Sequence, residues 1–160
     1  MIPTLLRTLF LATSAGYRSM TPFAALSWAA SSGRIELERR PYSLLSRPWL
    51  SNLLWLFALG ELFVDKLPIT PNRTDPGPLA GRIVIGAGVG ATCFVAGKRS
   101  PWVGGLVGGA VTAAQTFSAA NLRAQLNTRL PNPVSGSVED IIPIVFALGA
   151  VASWRRRPLW

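Results

Sequence analysis

The chain has 160 residues, room for one compact domain, and is 49% hydrophobic but only 14% charged, against roughly a quarter in soluble domains. It has no histidine and one cysteine, Cys93, so histidine-ligated haem, a histidine general base, an internal disulfide and a Cys-x-x-Cys metal site are excluded. The net charge of +9 falls in short clusters between apolar runs, a pattern that argues against nucleic acid and for arginine beside membrane segments, where it meets anionic headgroups.

The first apolar stretch covers residues 3–30 and is interrupted by Arg7 and by Gly16-Tyr17-Arg18. A membrane helix needs about 20 residues at 1.5 Å each, so this stretch is too long for one upright helix. A break near Gly16 or a strong tilt is expected. Ala12-Thr13-Ser14-Ala15 mimics a signal-peptide cleavage site, but Arg7 already lies among leucines and apolar character resumes at Pro22. Both points favour a retained segment.

Four more spans follow, at 48–64, 80–97, 101–122 and 139–154 when flanking interfacial residues are counted. The expected fold is therefore all-α: a single transmembrane domain over 1–160, an integral membrane bundle of about five spans. Gly86 and Gly90 are spaced to share a helix face, as are Gly104 with Gly108 and Gly105 with Gly109. Only Gly97-Lys98-Arg99-Ser100 joins the third and fourth spans, which predicts a tight glycine-rich hairpin. Cys93 reads as a small packing residue within it. The Gly86-x-Gly88-x-Gly90 run lacks the strand-turn-helix context of a nucleotide site.

On the fourth span Thr112, Gln115 and Thr116 share a face, with Ser118 and Asn121 toward its end. Such a stripe either hydrogen-bonds a neighbouring helix or lines a hydrated cavity. Five spans would put loop 31–47, the Lys98-Arg99 turn and the C-terminal tail on one face with nine basic residues. Six, Arg7 among them, would fall on the other. That imbalance predicts a cytoplasmic basic face and an external N-terminus. Trp28, Trp49, Trp102 and Trp154 fall at the basic-face ends of their spans, as a headgroup belt would, and Trp55 does not.

Eight ionisable residues bound or interrupt the apolar stretches: Arg18, Glu61, Asp65, Lys66, Arg82, Arg123, Glu139 and Asp140. Charges beside hydrocarbon are expensive, which makes these the candidate ion or solute site. Glu61 and Asp65, four apart, project from one helix side, and Arg82 and Arg123 are natural partners for them. Glu139 and Asp140 suit the positive end of a helix dipole. A salt-bridge clamp that merely fixes helix ends is the competing reading. Arg18, deep in the first stretch, is the hardest to explain as a surface charge.

These residues carry a family resemblance. Ala15-Gly16-Tyr17-Arg18, Glu61-Leu62-Phe63-Val64-Asp65-Lys66-Leu67-Pro68, Asn72-Arg73-Thr74, Arg82, Arg123 and Glu139-Asp140 resemble domain-of-unknown-function family 4126 from about Ala15 to Val151. The resemblance implies a small bacterial multi-pass membrane protein and no established activity. The functional expectation is a small homo-oligomeric transporter or channel in the bacterial inner membrane, its basic loops and C-terminus cytoplasmic and bound to anionic lipid. No cofactor or metal is expected. A non-catalytic scaffold that binds lipid or another protein is the alternative. An enzyme ranks last, because no GxSxG motif, Cys-His pair or Walker loop is present.

Overall fold

The described residues form six α-helices: α1 (Ile2–Tyr17), α2 (Met20–Ser31), α3 (Pro48–Val64), α4 (Pro76–Ala96), α5 (Pro101–Asn127) and α6 (Asn132–Ala152), with a 3-10 turn at Tyr42–Ser46. The computed structural model describes residues 2–64, 74–128 and 132–154, without the side chains of residues 2, 64 and 132–139. No strand occurs among the described residues. Helices α3, α4 and α5 open on Pro48, Pro76 and Pro101, where the missing N–H costs nothing and the fixed φ favours the first turn.

The first apolar stretch breaks at Arg18 and Ser19, close to where the sequence suggested. The chemical cause is Pro22. In an unbroken helix its missing N–H would orphan the Arg18 carbonyl, whereas in the first turn of a new helix it is tolerated. Gly16, the suspected breaker, instead lets α1 touch α5: a Cβ there would lie 2.5 Å from that of Gln115 and 3.1 Å from the Thr116 amide.

The break also reverses the chain, so residues 3–30, expected to run once along the bundle, run along it and back. At the far end of α1, Arg82 reaches the carbonyls of Gly16 and Tyr17, while at its near end Thr4 lies against Gly97. Helix α2 then returns, with Phe23 against Gly88 of α4 and Ile35 beside Val95. Arg7, Arg34, Lys98 and Trp154 consequently line one pocket at one end of the bundle. That placement overturns the assignment of Arg7 to the opposite face. The break itself was expected; what length did not reveal is that the second half of the 28-residue stretch, started afresh at Pro22, runs back beside the first instead of onward.

Helices α4 and α5 form the glycine hairpin. Gly90 meets the carbonyl of Gly104 and the Cα of Gly108, and Gly86 meets Thr112, leaving no room for a Cβ on either side. Thr112 faces α1 and donates to the Ala12 carbonyl (3.0 Å), while Thr116 donates to the Thr112 carbonyl of its own helix (2.8 Å) with that of Gly16 3.5 Å away. Of the two roles open to the polar stripe, Thr112 takes the helix-bonding one.

Beside an apolar core that includes Leu11, Leu26 and Val89, the bundle buries polar side chains and exposes large apolar ones. Thr8, Ser14, Thr112 and Thr116 are fully buried, while Phe63, Val84 and Leu106 are 75%, 70% and 77% exposed. Among the described residues one helix, α4, is long and apolar enough to cross a membrane; α6 adds a shorter apolar stretch, Asp140–Ala152. Helix α5 is longer than α4, but its glycines and its Thr, Gln, Ser and Asn residues dilute its hydropathy.

Candidate functional site

The break creates two helix ends in the interior, and each needs opposite charge. The first amides of α2 form a positive end with unsatisfied donors. Glu61 of α3 meets them: its two carboxylate oxygens accept from the amides of Ser19 (2.8 Å) and Met20 (3.0 Å). The last carbonyls of α1 form the negative end. Arg82 of α4 donates one guanidinium nitrogen toward those of Tyr17 (3.1 Å) and Gly16 (3.4 Å), and is itself buried. A glutamate on the amino end and an arginine on the carboxyl end is the arrangement the helix dipole favours.

Arg18 lies between these ends. Its side chain is 5% exposed and forms an ion pair with Asp140 of α6, whose side chain is 20% exposed. Helix α6 is held against α1 nearby, where Ser14 donates to the Pro143 carbonyl at 2.9 Å. A cleft of about 170 Å³ opens beside the pair, between α2, α3 and α6. Trp55, Ala58, Leu62, Ile144 and Ala147 line it with Thr21, so Arg18 is the charged group in a mostly apolar wall.

Of the eight candidate residues, Arg18, Glu61, Arg82 and Asp140 therefore gather around the break. Glu61, expected to pair with Arg82 or Arg123, instead caps a helix through backbone amides, and Arg18 pairs with Asp140. The reason is the reversal, which presents free amides to α3 at the level of Glu61. Arg123 is half-buried in the last two turns of α5. Asp65 and Lys66, and the side chain of Glu139, lie outside the described residues. Among the described residues no three His, Cys, Asp or Glu side chains come together as metal ligands. Sequence reasoning missed Ser14 and the link it makes to α6. Its signal is faint, a serine two residues before a glycine in an apolar stretch.

An all-helical bundle closed around a split first helix, its inner ends held by charged side chains, is the class of protein these observations define. Within that class the chain belongs to a family described as a domain of unknown function (DUF4126), whose model matches residues 5–154. The resemblance carried by Arg18, the Glu61-to-Pro68 element and Asp140 is thus to the right family. No curated protein and no solved structure matches the chain.

Proposed function

We propose that the protein is a multi-pass membrane protein that moves an ion or small solute past the Arg18–Asp140 pair. The many large apolar side chains left exposed, Phe63, Val84 and Leu106 among them, support the bilayer setting, because exposed apolar surface calls for a cover. In that setting α1 and α2 form a re-entrant pair from the basic face, and both termini share that face. Arg7 then joins the basic side, giving ten basic residues against five with Arg18 left aside and strengthening a cytoplasmic placement in a bacterial inner membrane. Exposed Trp28, Trp49 and Trp102 sit at the same end, where indoles anchor in the headgroup layer.

The observation that carries the transport reading is the depth of the pair. Thr116, level with the break, stands roughly 22 Å from the start of α5 and roughly 16 Å from its end, at 1.5 Å per residue. Charges and broken helices at such depth are tolerated where they serve a pathway. Asp140 is the group that would accept a proton or cation, releasing Arg18; Arg18 is the group an anion would seek. A narrow bundle of this size would work as a homo-oligomer. Flux into proteoliposomes tests the reading. Uptake from an ion and metabolite panel should exceed that of empty liposomes and fall at least tenfold in Asp140→Asn. Absence of flux across the panel, with the protein inserted, sinks it.

A second reading, a non-catalytic scaffold, is favoured by the way Glu61 and Arg82 spend their charge on helix ends. It predicts a co-purifying protein or lipid partner whose capture Glu61→Gln leaves intact. Recovery as a clean, delipidated homo-oligomer would count against it.

A further inference from the structure

The opposite end of the bundle holds a second polar feature, a pocket of about 570 Å³ that the charged layer at the break does not explain. Five cations line it, Arg7, Arg34, Arg39, Lys98 and Arg99, against two carboxylates, Glu36 and Glu38. Helix α2 and helix α4 deliver the central ones by one device. In each, the amide five residues on returns to a carbonyl of the last turn: Arg34 to Ala29 at 2.9 Å, Arg99 to Phe94 at 2.8 Å. This helix-ending motif requires a left-handed residue just before, supplied by Gly33 (φ 71°) and by Lys98 (φ 55°). Glycine adopts that conformation freely, whereas lysine does so at a cost. The sequence keeps a cation there all the same.

Cations at helix carboxyl ends also have a structural use, since each end carries roughly half a negative charge. Five cations against two carboxylates exceed that need. Two of the guanidiniums, those of Arg7 and Arg34, are held in place by the protein itself. Arg7 stacks 4.8 Å from the Trp154 ring and donates to the hydroxyl (2.8 Å) and carbonyl (2.7 Å) of Ser153. Arg34 stacks 4.7 Å from the Trp28 ring, and its Nε is buried with no acceptor among the described residues. A buried donor without an acceptor is costly, and an oxyanion relieves it. Arginines held on aromatic faces around a surplus of positive charge are suited to phosphate, which each can bind through two hydrogen bonds.

We propose that this pocket binds a phosphate group, the headgroup of an anionic phospholipid or a free phosphate, between Arg34, Arg99 and Arg7. The phosphate chemistry stands without the transport reading, and the lipid source needs only that this end meets a membrane face. Failure of flux and failure of binding are therefore separate results.

Native mass spectrometry of the full chain in neutral detergent tests it, with phosphatidylglycerol, phosphatidylcholine or inorganic phosphate added in turn. Phosphatidylglycerol retained about tenfold better than phosphatidylcholine assigns the lipid source, and saturable inorganic phosphate with no such preference assigns the free anion. Binding of neither overturns the proposal. Arg34→Gln with Arg99→Gln should weaken binding about tenfold. Arg47→Gln, at the same end but outside the pocket, should change it less than about twofold. Equal losses in the two would mean diffuse surface charge and overturn the pocket. Glu38→Gln needs no change in the arginines and should tighten binding about threefold; unchanged or weaker binding in that variant, with the protein folded, also overturns it.

Discussion

Arg18 and Asp140 stand 122 positions apart in sequence and meet at the split of the first helix, with 5% and 20% of their side chains exposed. Removing one member of such a pair leaves the other charge buried, at a cost of about 3–5 kcal/mol, whereas replacing both by apolar groups of similar size is often nearly neutral. Arg18→Met should therefore destabilise the protein by about that much, and Arg18→Met with Asp140→Leu should recover more than half of the loss. Unfolding in mixed detergent micelles measures both; losses that simply add would mean the two side chains act independently. Glu61 works differently, since its oxygens accept from two backbone amides. Glu61→Gln keeps one acceptor and aims its amide group at the other N–H, so a loss of about 1–2 kcal/mol is expected. Indistinguishable unfolding of that variant and the parent would remove Glu61 from the cap.

At the level of helices, the tightest constraint is the α4–α5 hairpin, where Gly90 packs on the backbone of Gly104 and Gly108. A methyl group there must push two backbones apart. Gly90→Ala should cost about 1–3 kcal/mol, and Gly149→Ala on α6, where a Cβ meets nothing within 4 Å, should be neutral or gain up to about 1 kcal/mol from helix propensity. Equal melting shifts in the two would show that the hairpin is looser than drawn. Lys98 offers a gain in the other direction. Lys98→Gly relieves a left-handed lysine and should raise stability by about 1 kcal/mol while weakening phosphate binding. The hairpin was legible because small-residue spacing maps directly onto a helix face, and so was the break, because a charged Gly-Tyr-Arg insert cannot continue an apolar span. Two things were not legible. Whether the chain continues or turns back after Arg18 depends on Pro22 and on which partner satisfies the new helix end, and that partner, Glu61, lies 41 residues beyond Met20. The basic pocket was hidden for the same reason: Arg7 looked like a charge on the opposite face until the reversal brought it to Trp154.

In the proposed membrane setting, the reversal is where a five-passage bundle and one of six, counting both arms of the re-entrant pair, part company. With five, residue 3 and residue 128 fall on one side and residue 32 on the other. With six, residues 3 and 32 fall together and residue 128 opposite, because α1 and α2 both reach the end that holds Arg7, Arg34 and Trp154. Pro3, Ser32 and Thr128 are exposed in the structure, so a cysteine at each is open to a reagent. Cys93 is 2% exposed in the core between α1, α2 and α4, and leaves little background. In sealed vesicles of one orientation, an impermeant maleimide should label Pro3→Cys and Ser32→Cys from the same side and Thr128→Cys from the other. Joint labelling of Pro3→Cys and Thr128→Cys would restore the single crossing, move Arg7 away from Arg34 and Lys98, and dismantle the phosphate pocket along with the re-entrant pair.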